Sequence, residues 1–147
     1  MKIFAVITVL SLAVSWTNAD IVPVKDCGSV EGSINKVDIT PCPSIPCPFK
    51  RNTFVNVTIN FAAQGSIFQA DTSVHGIIAD VPVPFPLPDD NACHFMTCPI
   101  NQGDTVNYAN GIFVQEAYPK ITLIVKWELL TGSTDIICFT VPVTITD

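Results

Sequence analysis

Phe54-Val55-Asn56-Val57-Thr58-Ile59-Asn60-Phe61 alternates: Val55, Val57, Ile59 and Phe61 share one face, while Asn56, Thr58 and Asn60 share the other. Successive side chains of a β-strand point to opposite faces, so a period of two marks a strand with one dry side and one wet side. The period returns in Ile121 to Leu129, where Ile121, Leu123, Val125, Trp127 and Leu129 oppose Thr122, Lys126 and Glu128. It returns again after Cys138, where Phe139, Val141, Val143 and Ile145 oppose Thr140, Pro142, Thr144 and Thr146. Gln64-Gly65-Ser66, Gln102-Gly103-Asp104, Asn110-Gly111 and Thr131-Gly132-Ser133 read as turns between such runs. No stretch carries a helical stripe. The pattern predicts an all-β chain, folded as a sandwich of two antiparallel sheets.

Residues 1–19 read as a secretory signal: Lys2 is the positive start, Ile3 to Val14 is almost wholly apolar, and Thr17-Asn18-Ala19 offers small residues at a cleavage site. That apolar run is too short to span a bilayer, and no later one approaches the length. The expected mature chain is one exported domain over residues 20–147. Removing Lys2 takes the basic count from 7 to 6 against 13 acids, a net charge of −7. With no basic cluster, nucleic acid and anionic lipid surfaces are not expected as standing partners.

Export decides how the six cysteines are read. Zinc knuckles use tighter Cys-x-x-Cys pairs or histidine partners, so no metal is expected, and disulfides are. Cys42 with Cys47 and Cys93 with Cys98 close two short loops as natural local bridges, which leaves Cys27 with Cys138. Asn56-Val57-Thr58 is an N-glycosylation acceptor pattern on the wet face of its strand.

Catalytic patterns are thin. There is no Gly-x-Ser-x-Gly elbow, no His-Glu-x-x-His and no phosphate-cradling glycine loop, so no enzyme is expected and no cofactor either. His94 lies inside a short cysteine loop, His75 sits in a strand-like run, and Asp89-Asp90-Asn91 reads as a solvated turn. What the chain has instead is apolar capacity. Val81-Pro82-Val83-Pro84-Phe85-Pro86-Leu87-Pro88 alternates proline with large apolar residues. Proline holds φ near −65°, lacks an N–H and pushes its predecessor to extended backbone. The segment is therefore an extended ribbon that cannot pair fully within a sheet, either the rim of an apolar site or an edge closing an ordinary core.

Several runs together resemble one family. Lys25-Asp26-Cys27-Gly28-Ser29-Val30-Glu31-Gly32, Pro41-Cys42-Pro43-Ser44-Ile45-Pro46-Cys47, Val74-His75-Gly76-Ile77, the proline ribbon, Cys98-Pro99-Ile100 and Glu116-Ala117-Tyr118-Pro119 follow in order. They closely resemble the Niemann–Pick type C2-like sterol-transfer proteins of the MD-2-related lipid-recognition (ML) family. The loop from Asn91 to Cys98 is similar to that of mite group 2 allergens, an arthropod-like branch. The resemblance covers the whole mature chain. It implies an immunoglobulin-like β-sandwich whose sheets part around one lipid, with the bridges 27–138, 42–47 and 93–98.

The family's pocket residues map onto Phe85 of the ribbon, Val114, Tyr118 and Trp127. The chain departs from the family's vertebrate members at Phe139, where they commonly carry tryptophan, and at Ala79-Asp80 near the mouth. The inward faces and the mouth add Val55, Val57, Ile59, Val83, Pro119, Leu123, Val125 and Val141 as expected lining. The resemblance implies a secreted or lysosomal carrier, monomeric, that binds a single sterol and touches membranes or a membrane sterol receptor only transiently. The rival readings are a carrier of fatty acids or semiochemicals, and an extracellular co-receptor module for microbial lipid.

Overall fold

Among the described residues, 9–11 and 21–147 of this computed structural model, the alternating segments become nine strands. They are β1 (Lys25–Asp26), β2 (Gly32–Thr40), β3 (Cys47–Lys50), β4 (Thr53–Ala63), β5 (Asp71–Ile78), β6 (Val81–Phe85), β7 (Thr105–Val114), β8 (Thr122–Thr131) and β9 (Thr134–Thr146). A single 3₁₀ turn, Ala92–His94, is the only helical element among these residues. The signal expected over residues 1–19 falls outside the described residues except at positions 9–11.

One sheet runs β1-β9-β8-β5-β6 with β3 also on β9, and the other runs β2-β4-β7. The pairings are antiparallel except that of β3, whose Cys47–Lys50 runs parallel to Val143–Thr146. The sandwich forms because each sheet has one apolar face to hide. Val55, Val57, Ile59 and Phe61 on β4 are all 2 % exposed or less, and so are Trp127, Leu129, Phe139, Val141 and Val143 on the facing sheet. At one end the core is a row of rings: Phe95 to Tyr108 at 6.0 Å, Tyr108 to Trp127 at 6.2 Å, and Trp127 stacked on Phe139 at 6.5 Å. Buried Tyr108 keeps its hydroxyl satisfied by Thr72 Oγ1 at 2.9 Å and by the amide of Asn110 at 3.0 Å.

Three disulfides fasten this frame, Cys27–Cys138, Cys42–Cys47 and Cys93–Cys98, the set expected from spacing. The first ties the segment after β1 to the middle of β9, 111 residues away. One turn expectation fails. Asn110-Gly111 lies inside β7, opposite Val57 and Asn56 of β4. A Cβ at Gly111 would lie 3.1 Å from Asn56 Oδ1, a tight contact that a shift of the exposed amide by a few tenths of an ångström would relieve.

The ribbon of alternating prolines becomes β6, the edge of its sheet, with Pro82 opposite Ile77 and Pro84 opposite His75. An edge is where a strand that lacks amide donors at alternate positions, here Pro82 and Pro84, is tolerated. β5 and β6 are joined by Ala79-Asp80, with φ of +48° and +64°. Two consecutive left-handed residues match the right-handed twist of a tight hairpin, but neither is the glycine or asparagine that adopts them most readily.

Candidate functional site

The two sheets part where the edge strand β6 faces the edge strand β7, and an apolar cavity of about 200 Å³ lies between them. β5 and β6 supply Val74, Gly76, Val83 and Phe85 to one wall, and β8 and β9 supply Leu123, Val125, Val143 and Ile145. Phe49 of β3, which pairs with β9, belongs to that same sheet, and the opposing wall is Ile112 and Val114 of β7 with Tyr118 and Pro119 of the loop that follows. Among the lining residues only His75 and Tyr118 carry polar side-chain atoms. Gly76 shapes the wall through what it lacks. A Cβ there would sit 2.8 Å from Leu123 Cδ1, so any larger residue would drive Leu123 aside.

Phe85 and Tyr118 face each other across the mouth with ring centroids 5.5 Å apart and planes tilted by 60°. Aromatic pairs favour such tilted contacts, and here both rings are only half-buried. The Tyr118 hydroxyl has no hydrogen-bond partner, and burial pushes it above its ordinary pKa. The loop that carries Tyr118 is pinned from outside. Arg51 Nη1 donates to the carbonyls of Glu116 at 3.1 Å and Tyr118 at 3.4 Å, while Nη2 pairs with Asp147. Lys120 Nζ reaches the same carboxylate at 2.7 Å, and these two cations hold the Asp147 carboxyl below its ordinary value.

Behind the cavity lies a second void of about 10 Å³, lined by Val57, Trp127, Phe139 and Val141 among others. Phe49, Ile112 and Val125 line both spaces and form the partition between them. Trp127 Nε1 is buried without a hydrogen-bond partner.

The residues singled out in the sequence thus divide three ways. Phe85, Val83, Val114, Tyr118, Pro119, Leu123 and Val125 line the main cavity. Val57, Trp127, Phe139 and Val141 lie around the inner void, which Val125 shares. Val55 and Ile59 line neither and are sealed in the core at 0 % exposure. The sequence reading missed Phe49, Val74, Ile112, Ile121, Val143 and Ile145. For Ile121, Val143 and Ile145 the signal was present, since each belongs to an inward parity set. For Phe49 there was none, because a four-residue strand has no period to read.

Titratable clusters lie elsewhere. His94 Nδ1 and Asp89 Oδ2 pair at 2.7 Å on the exposed side of the 3₁₀ turn, and this contact holds the Asp89 carboxyl low. Glu128, Asp135 and Cys138 converge across β8 and β9, but the sulfur of Cys138 is bonded to Cys27 and offers no thiolate to a metal. Burial and the Glu128 carboxyl beside it push Asp135 up to about 7, against a weaker opposite pull from Lys126.

A family model described as the ML domain matches residues 21–145. The bovine NPC intracellular cholesterol transporter 2 is 36% identical over 143 residues, covering 95% of this chain and 96% of that protein. Homolog a of the same transporter in Drosophila melanogaster is 35% identical over 144 residues and covers 95% of both chains. Among solved structures, a Niemann-Pick type C2 protein from the Japanese carpenter ant superposes with a TM-score of 0.80 at 26% identity. That alignment covers 85% of this chain and all of the ant chain.

Proposed function

The chain belongs to the ML-domain family, and from that premise we propose that it carries one sterol molecule in the cavity between its sheets. The observation that supports this most is the lining: an opening between two edge strands leads to walls that are apolar apart from His75 and Tyr118. Such a site binds by removing apolar ligand surface from water, at roughly 25 cal/mol per Å². Its specificity comes from shape, since few polar groups are there to fix an orientation. The transporter names of the bovine and fly relatives favour a sterol over a fatty acid.

At about 200 Å³ the cavity is smaller than the roughly 300–1,000 Å³ common for pockets that hold drug-sized ligands. The inner void of about 10 Å³ adds little to that, so loading needs outward movement of the lining side chains, the partition of Phe49, Ile112 and Val125 among them. Phe85, Val83, Val114, Tyr118, Pro119, Leu123 and Val125 touch the ligand first; Val57, Trp127, Phe139 and Val141 meet the end that enters deepest. Val55 and Ile59 act by holding the sheet behind them. The working form is the exported domain of residues 20–147, monomeric, in the extracellular space or the lysosomal lumen. It meets membranes or a receptor only to load and unload, and it performs no chemistry on its cargo.

Native mass spectrometry of the secreted protein, followed by extraction of the bound lipid, tests the reading. One sterol per chain is the expected result. A fatty acid in its place would transfer the site to the rival carrier function, and no lipid after incubation with sterol-loaded vesicles would overturn it.

A further inference from the structure

The outer face of the three-stranded sheet carries an aromatic pair that the cavity does not explain. Phe54 of β4 is 65 % exposed and Phe113 of β7 is 42 % exposed. They are cross-strand partners with ring centroids 5.1 Å apart. Rings left in water forgo the gain of burial, and β7 is the last strand of its sheet, met at Ala109 by the carbonyl of Phe95 but with no strand paired beyond it at Gly111 and Phe113, where exposed apolar groups invite association.

The alternation of β4 puts Asn56 and Thr58 on the same outer face as Phe54. Asn56-Val57-Thr58 is the acceptor pattern for an N-linked glycan. Directly across from Asn56 stands Gly111, and on its other side Thr40. A Cβ at Gly111 would lie 3.1 Å from Asn56 Oδ1 and 3.9 Å from Phe54 Cδ1, so its absence keeps the space between that amide and that ring open. Other amides on this sheet are engaged. Asn35 Nδ2 donates to Asn60 Oδ1 at 2.9 Å, and Asn60 Nδ2 donates to Asn107 Oδ1 at 2.7 Å. The Asn56 carboxamide has no hydrogen-bond partner among the described residues, so a glycan on its Nδ2 displaces no hydrogen bond of the folded sheet.

We infer that Phe54, Gly111 and Phe113 form a seat for the first sugar of a glycan carried by Asn56. The apolar C–H face of the N-acetylglucosamine lies on the Phe54 ring, Gly111 gives it passage, and Phe113 walls its side. Attachment forms a bond from Asn56 Nδ2 to C1 of the sugar as the bond from C1 to a lipid-linked pyrophosphate breaks. The pyrophosphate leaves with the bonding electrons and the amide gives up one proton. The donor is the lipid-pyrophosphate oligosaccharide of the secretory compartment. The seated sugar then covers the aromatic pair and blocks the β7 edge. The inference rests on export but not on lipid carriage, so it can fail while the carrier reading stands.

The test is secretion of the full chain from insect cells, with intact mass and denaturant midpoint measured before and after an endoglycosidase trims the glycan to one N-acetylglucosamine. Wild type should carry a glycan mass that Asn56→Gln abolishes. Its midpoint should exceed that of Asn56→Gln, and trimming to the single sugar should keep the difference. In the Phe54→Thr background the shift between the sugar-bearing chain and its Asn56→Gln counterpart should vanish. Comparing within each background removes what Phe54→Thr does to stability by itself. An unmodified Asn56, a shift that survives Phe54→Thr, or a secreted dimer that buries both rings would each overturn the inference.

Discussion

Phe85 and Tyr118 hold different positions from an ordinary aromatic core pair such as Trp127 and Phe139. The core pair is 1 % exposed and stacked at 4°, whereas the mouth pair is half-buried with open space on one side. Emptying a packed aromatic site costs about 3–5 kcal/mol. Phe85→Ala should cost well under that in urea denaturation, because its ring already borders a void. Its loss to binding should be larger in proportion. A ring that buries against ligand contributes about 1.5–3 kcal/mol, or roughly tenfold to a hundredfold in Kd. Titration with a fluorescent sterol beside a denaturant curve reads both, and a stability loss as large as the binding loss would make Phe85 a core residue. Tyr118 was legible in the sequence through the run Glu116-Ala117-Tyr118-Pro119. Arg51 was not, because nothing in its neighbourhood announces that its guanidinium reaches the carbonyls of Glu116 and Tyr118, some 65 residues on.

At the scale of elements, β4, β8 and β9 were plain in the sequence because long half-buried strands must alternate. β3 was hidden for the opposite reason: Cys47-Pro48-Phe49-Lys50 is too short to show a period, and its parallel partner Val143–Thr146 is nearly a hundred residues away. Asn110-Gly111 misled because that dipeptide is the strongest local signal for a two-residue hairpin. Pairing with Val57 and Asn56 of β4 holds the dipeptide extended instead. The real tight hairpin, Ala79-Asp80, has no glycine and was not read as a turn. Left-handed backbone costs most L-residues about 1–2 kcal/mol each. Replacing Ala79-Asp80 by Asn-Gly should therefore raise the thermal or urea midpoint, by about 0.5–1.5 kcal/mol after the added unfolded-state entropy of glycine. An unchanged or lowered midpoint would mean that the turn is held by contacts of the Ala79 or Asp80 side chains.

For the whole molecule, carboxylates set the pH window. Asp26, Asp89 and Asp147 are held below their ordinary values by hydrogen bonds, so the stability they add is present above the usual carboxylate range and is lost as pH falls through it. Asp135 acts in the other direction. Its folded pKa of about 7 exceeds its ordinary 3.8, so the folded chain holds that proton more tightly than the unfolded chain does. The stability it adds is full below about 4 and drains away as pH rises to about 7. The two effects together predict a stability maximum in mildly acidic solution. Asp135→Asn should flatten the fall in urea midpoint between pH 5 and pH 7.5, and an unaltered slope would place the pH dependence on other groups.

Cavity and solid core give opposite answers at Val114, which is 3 % exposed yet lines the cavity. A phenylalanine forced into a filled core overpacks it and costs about 1–3 kcal/mol. The same ring beside a void of about 200 Å³ has somewhere to go. The measurement is therefore sterol binding and urea midpoint on Val114→Phe, taken together on one preparation. Loss of binding with an unchanged midpoint is the result this account predicts. Full binding, or binding lost only in step with unfolding, would contradict it.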